Sequence, residues 1–230
     1  MSETPDPARQ PGEAQSPQAE QAPPLITHKT LMYSATRFLT GLELSLMHRL
    51  RVLDAHHIPA EGPGLIVCNH QSFLDIPIIA NATPNRRHVC FVARASLAKS
   101  RFMALLMRQC GAVLIKRGAA ERAALNEMIA HLKAGDLVCV FPEGTRSSDG
   151  TLGEFLPGAV FAAKRARVPL IPAGIRGAYL AMPRSSKLPF PRFKPISVRF
   201  AAPIDASQRD CLEQAKAAIQ GMVGDGNCEP

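Results

Sequence analysis

Short unbroken apolar runs recur along the chain at Gly64–Asn69, His88–Ala93, Ala112–Lys116, Leu137–Phe141, Val168–Ile175 and Ile196–Phe200. Each has the length expected of a strand. Between them lie segments of helical period. Ala119–Leu132 sets Leu125, Met128, Ile129 and Leu132 on one face, and Arg209–Val223 does the same with Leu212, Ala215, Ile219, Met222 and Val223. Strand and helix in alternation predict a single α/β domain whose mostly parallel central sheet is flanked by helices. Residues 52–225 are assigned to it.

Upstream the pattern changes. Leu31, Ala35, Phe38, Leu42, Leu46, Leu50 and Leu53 recur at three- and four-residue steps, which predicts an amphipathic helix over 25–51, with Gly41 a candidate break into a two-helix motif. Lys29, Arg37, Arg49 and Arg51 flank the stripe against a lone Glu43. Such a helix suits a membrane interface, and it equally suits packing on the main domain. Residues 1–24, rich in Pro, Gln, Glu and Ala, hold no apolar residue larger than Met1 and are expected to be disordered.

Composition narrows the partners. The chain has 230 residues, 46% of them hydrophobic, enough for one substantial core. Trp is absent and 5% of residues are aromatic, so stacking platforms for nucleic acid are poorly supplied and no nucleic-acid partner is expected. A net charge of +8 favours an anionic partner, a membrane surface or a phosphorylated substrate. The six cysteines, at 68, 90, 110, 139, 211 and 228, show no C-x-x-C spacing and read as reduced residues of a cytosolic protein, with no disulfide framework and no metal site expected. No stretch has the pattern of a signal peptide or the length of a transmembrane helix.

Candidate chemistry falls at two strand ends, where ligands of parallel sheets gather. Asn69-His70-Gln71-Ser72-Phe73-Leu74-Asp75 follows the run ending at Cys68 and turns into a helix carrying Asp75. Histidine changes charge near neutrality and a carboxylate holds its tautomer, so His70 and Asp75 have the equipment of a general base. Phe141-Pro142-Glu143-Gly144-Thr145-Arg146-Ser147 follows the run ending at Phe141. Arg146, Arg117 and Lys116 are candidate anion holders, because guanidinium binds phosphate through paired hydrogen bonds. Gly144 lets a substrate approach the main chain. The chain has no phosphate loop, no dinucleotide fingerprint and no nucleophile elbow.

Four segments in register carry a family resemblance. Asn69 and His70, with Asp75 after four further residues, make the first; Gly111-Ala112-Val113-Leu114-Ile115-Lys116-Arg117-Gly118 the second; Phe141–Ser147 the third; Val168-Pro169-Leu170-Ile171-Pro172 the fourth. Across roughly residues 52–203 the chain resembles the lysophospholipid acyltransferases, most closely bacterial 1-acylglycerol-3-phosphate acyltransferases of the PlsC type. The resemblance implies that His70, oriented by Asp75, deprotonates the free hydroxyl of a lysophospholipid, which attacks the thioester of acyl-CoA or acyl-carrier protein. No other cofactor is implied. Arg117, Arg146 and Lys116 would hold the acceptor phosphate, Glu143, Gly144 and Thr145 would shape its glycerol site, and Pro169 and Pro172 would set the acyl-donor wall. It also implies a peripheral enzyme at the cytoplasmic face of the cytoplasmic membrane.

Alternatives stay open at this point. The acceptor could be glycerol-3-phosphate, lyso-ornithine lipid or another lysolipid. Cys68, two residues from His70, could make a thioesterase. Glu143 could pair internally, and the basic stretch Arg184, Lys187, Arg192, Lys194 and Arg199 could be a solvated face or a dock for a bilayer or an acidic carrier protein.

Overall fold

The computed structural model describes residues 31–84, 87–94, 101, 107, 112–115, 120–185 and 193–224. Helix α1 (Leu31–His48) opens it, followed by β1 (Arg51–Leu53), a 3-10 turn at Ala55–His57, and β2 (Gly64–Cys68). Then come α2 (Asp75–Ala82), β3 (Val89–Arg94), β4 (Ala112–Ile115), α3 (Ala120–Lys133) and β5 (Leu137–Val140). After these come α4 (Gly158–Ala166), β6 (Leu170–Arg176), the short α5 (Ala178–Ala181), β7 (Ser197–Phe200) and α6 (Cys211–Val223).

The strands form one sheet in the order β1-β7-β6-β2-β5-β3-β4. All neighbours run parallel except β6 and β7, so β7 and β1 oppose the other five strands. Central β2 pairs with β6 and β5, and all five of its residues are buried. Its odd and even positions enter different cores. Ile66 and Cys68 pack with Leu44 of α1 and with Ile78 and Ile79 of α2. Leu65 and Val67 pack with Met128 and Leu132 of α3, Ala162 and Ala163 of α4, and Ile219 of α6. Covering on both faces is why strands of this sheet read as unbroken apolar runs.

The start of the chain departs from its periodicity. Helix α1 runs through Gly41 without a break, and a Cβ at Gly41 would come within 2.5 Å of Asn81 Oδ1. The glycine thus marks a close approach to α2. The helix stops at His48, where Arg49 takes a positive φ of 46°. Leu50 and Leu53 therefore leave the helical stripe, and Leu53 ends β1, which pairs with β7 from Arg51↔Ser197 to Leu53↔Arg199. The stripe itself faces outward: Leu31, Phe38, Leu42 and Leu46 are exposed, whereas Tyr33, Leu44 and His48 are buried on the opposite side. That side is held by Arg37 donating to the Thr83 carbonyl at 2.7 Å and by the amide of Asn81 donating to Thr40 Oγ1 at 3.1 Å. Among the described residues no helix is long and apolar enough to cross a membrane. The tail 1–24 lies outside the described residues.

Candidate active site

Strand β2 ends at Cys68, and the next residue closes the sheet above it. The Asn69 side chain accepts the Ile175 N–H at 2.8 Å and donates to the Ile175 carbonyl at 3.0 Å. It takes both main-chain groups of a β6 residue after β2 itself has turned away. His70 is thereby delivered at the carboxyl end of the central strand.

Asp75, fully buried, stands at the first turn of α2. Its Oδ2 accepts the Gln71 N–H at 2.6 Å, the Ser72 N–H at 2.8 Å and His70 Nδ1 at 2.8 Å. With two amides already on that oxygen, Nδ1 is the protonated ring nitrogen. Nε2 is then left with its lone pair, as a general base requires. The imidazole stacks on Phe141, with centroids 4.1 Å apart and planes 16° from parallel, and keeps partial access to solvent.

Glu143 joins this loop to the one after β5. One carboxylate oxygen accepts the His70 N–H at 2.8 Å and the other the Gly153 N–H at 3.0 Å. A Cβ at residue 153 would stand 2.8 Å from Glu143 Oε2, so glycine is what lets this amide reach. Burial pushes the Glu143 carboxyl above its ordinary range, opposed by these two amides and by His70. The His70 carbonyl accepts the Ser147 N–H at 2.8 Å and Gln71 donates to the Gly150 carbonyl at 2.9 Å, completing the seam. Gly144 turns the chain with φ of 67°.

On the outer rim, the Arg146 guanidinium lies 3.6 Å over the Phe73 ring. Arg184 donates to Thr145 Oγ1 at 3.2 Å and to the Arg146 carbonyl at 3.3 Å. Burial, and then the nearby Arg184 charge, lowers the pKa of Arg146. Two guanidinium groups thus stand close together beside the His70 loop.

The structure brings His70, Asp75, Glu143, Gly144, Thr145 and Arg146 together at the carboxyl ends of β2 and β5. Lys116 and Arg117 lie outside the described residues. Pro169 and Pro172 do not join this cluster. The Pro169 carbonyl accepts the Leu65 N–H at 3.0 Å near the start of β2, and Pro172 pairs with Val67 inside the sheet. Of the basic stretch, Arg199 pairs with Asp54 at 3.3 Å, and residues 186–192 lie outside the description. Cys68 is fully buried, and burial first, then Cys139, Asp75 and Glu143, raises its thiol well above the ordinary range. Sequence reasoning missed Gly153 and the Arg146–Arg184 pairing. The basic stretch was the only hint of Arg184, and Gly153 left none.

The geometry has counterparts among known proteins. The Acyltransferase family model matches residues 49–176, more than half of the chain, and the chain belongs to that family. It is 34% identical over 142 residues to the 1-acyl-sn-glycerol-3-phosphate acyltransferase alpha of Homo sapiens, covering 57% of this chain and 49% of that protein. To the 1-acyl-sn-glycerol-3-phosphate acyltransferase of Bacillus subtilis it is 27% identical over 135 residues, covering 58% of this chain and 66% of the relative. The crystal structure of the 1-acyl-sn-glycerophosphate acyltransferase PlsC from Thermotoga maritima superposes with a TM-score of 0.68 at 25% identity, covering 83% of this chain and 77% of that one. The chain spans about half the length of the mammalian relatives it matches.

Because Glu143 serves two backbone amides, Glu143→Ala is expected to cost about 1–3 kcal/mol for each orphaned N–H. Glu143→Gln, which keeps one acceptor oxygen, should cost about half as much. Thermal melting of the two variants beside the parent measures the difference; equal melting temperatures for all three would remove the bridge from the account.

Proposed function

We propose that the protein transfers a fatty acyl group from an acyl thioester to the free hydroxyl of 1-acylglycerol-3-phosphate, giving phosphatidic acid. The observation that carries this reading is the His70–Asp75 pair at the carboxyl end of β2, with Arg146 and Arg184 on the same lip. The names of the relatives support the acceptor.

In this reading the acceptor hydroxyl gives its proton to His70 Nε2 while its oxygen bonds to the thioester carbonyl carbon. Asp75 stabilises the imidazolium that forms. Collapse of the tetrahedral species breaks the carbon–sulfur bond, and the proton on Nε2 leaves with the thiolate as free thiol. The thioester is already activated, so the step needs no ATP and no acyl-enzyme. General-base assistance of this kind is worth about 10²–10⁴ in rate. The donor is acyl-CoA or acyl-carrier protein, and the same chemistry serves either. Lys116 and Arg117 complete the phosphate site in this scheme, and Gly144 and Thr145 border the glycerol. Glu143 acts as a positioning residue, since both its oxygens are engaged by the main chain. Assaying purified protein with one labelled acyl thioester against a panel of lysolipids tests the assignment directly; transfer to lyso-ornithine lipid or glycerol-3-phosphate in preference to lysophosphatidate would reassign the acceptor.

The outward face of α1 supports a peripheral membrane location, here taken as the cytoplasmic face. Leu31, Phe38, Leu42 and Leu46 present a row of exposed apolar side chains, with exposed Arg49 and Arg51 beyond the helix end. Apolar burial in the headgroup region combined with attraction to anionic lipid is how such helices bind.

His70→Ala is expected to lower turnover at least about a hundredfold. Cys68→Ala should leave activity in place, because a fully buried thiol with a raised pKa is a poor nucleophile. An acyl group trapped on Cys68 would instead identify a thioesterase. Arg184→Ala should raise KM for the phosphorylated acceptor about tenfold or more, the worth of one or two charge-assisted hydrogen bonds, while leaving KM for the thioester unchanged. An equal loss with a phosphate-free acceptor would take Arg184 out of the phosphate site. Phe38→Ser combined with Leu42→Ser should release the protein from anionic vesicles in a sedimentation assay without lowering its melting temperature, since both side chains already face solvent.

A further inference from the structure

At the other end of the parallel strands, remote from His70, a second group of ionisable side chains converges. Cys90 is the second residue of β3, paired with Val138, and points into the core formed with α3. His131 stands in the last turn of α3, and Asp136 immediately precedes β5. The turn between them is fixed. The Asp136 N–H bonds back to the His131 carbonyl at 3.1 Å, and Gly135 takes φ of 93°. This is a helix C-cap in which the glycine conformation sets the two side chains next to each other.

The three ligand atoms, Cys90 Sγ, His131 Nδ1 and Asp136 Oδ2, all lie within 4.8 Å of one another. His131 Nδ1 is 2.7 Å from Asp136 Oδ2 and 3.7 Å from Cys90 Sγ, and His88 Nδ1 approaches the same sulfur at 3.6 Å. The residues are buried or nearly so, and the His88 ring is packed 4.3 Å from that of Tyr33. Protons account for two of the three approaches, one on His131 for Asp136 and one on Cys90 for His88. The third, Cys90 to His131, is then left with no proton to share. A cation among Cys90, His131 and Asp136 would engage the three ligand atoms that lie mutually close.

We propose that Cys90, His131 and Asp136 form a buried site for one zinc-class divalent cation that ties α3 and β5 to β3. The donor set is one thiolate, one imidazole and one carboxylate, which suits Zn²⁺ or Co²⁺ rather than the oxygen-seeking Mg²⁺ or Ca²⁺. Two anionic ligands balance the ion. The sulfur–nitrogen separation of 3.7 Å between Cys90 and His131 matches the edge of a tetrahedron with metal bonds of about 2.0–2.3 Å. The His131–Asp136 pair has hydrogen-bond length and would open by about half an ångström as the ion replaces the proton. Burial, and then the charge of Asp136, holds the Cys90 proton on in the absence of an ion, so loading releases it. Three protein ligands leave a fourth position for water, and burial at the strand ends remote from His70 gives the ion a tying role between elements. The spacing of these residues in the sequence, unlike a C-x-x-C pair, gives no sign of the site.

The test uses the full chain purified without chelator. Elemental analysis should find about one zinc per chain. After chelation, titration with Co²⁺ should produce an intense near-ultraviolet thiolate-to-cobalt band together with visible bands of tetrahedral cobalt. Zn²⁺ at about a hundredfold excess over Kd should raise the melting temperature of the chelated protein by about 5 °C or more. Cys90→Ala and Asp136→Asn should abolish the band and the shift. Should either variant fold poorly, the chelated parent with and without metal carries the decision. A parent chain with no zinc, no thiolate–cobalt band and no metal-dependent melting shift overturns the proposal and leaves a hydrogen-bonded cluster only. A band that survives Cys90→Ala also overturns it, by placing the metal on another thiol.

Discussion

Oδ2 of Asp75, closed off from water, is the point from which the cleft is built. Burying a carboxylate costs several kcal/mol unless hydrogen bonds replace its hydration. Here the His70 ring and the amides of Gln71 and Ser72 supply them to Oδ2, while Oδ1 is buried with no partner among the described residues. The same three bonds give the loop after β2 its shape and the imidazole its tautomer. The shape of the loop and the tautomer of the ring therefore rest on one oxygen. Glu143 repeats the device one loop further out, its two oxygens spanning amides that stand 83 positions apart, from His70 to Gly153. Two carboxylates facing inward thus replace the sheet's own hydrogen-bond ladder at the point where β2 and β5 end.

Much of this was readable in the amino-acid order, and for identifiable reasons. Strands β2, β5 and β6 are covered on both faces, so their residues are uniformly apolar and their ends fall within about two positions of the expected ones. His70 and Asp75 were legible because the loop that joins them is local. Long-range geometry was not. Nothing in the pattern tells that Gly153 must be small for the sake of Glu143, or that Arg184 returns across the fold to sit beside Arg146. The start of the chain was misread in a revealing way. Leu50 and Leu53 continue the helical step of the residues before them, yet Arg49 adopts a left-handed conformation and the segment pairs with β7 instead. Periodicity reports which side chains share a face and is silent on a single backbone residue that reverses direction.

The same helix shows what an apolar stripe does and does not mean. Its regular leucines and phenylalanine face solvent, while a less obvious set, Tyr33, Leu44 and His48, lies against the domain. Glycine and polar groups add to that inner contact, with Gly41 against Asn81 and Arg37 on the Thr83 carbonyl. Close approach and hydrogen bonding, together with the buried Tyr33 and Leu44, seat the helix.

That seating has a geometrical corollary. Helix α2 touches α1 on one side and begins, at its other extremity, with Asp75. The outward leucines and the imidazole are therefore joined through two packed helices, α1 on α2. In the proposed membrane-bound form, the plane on which the row of leucines rests would set the tilt at which the His70 loop meets it.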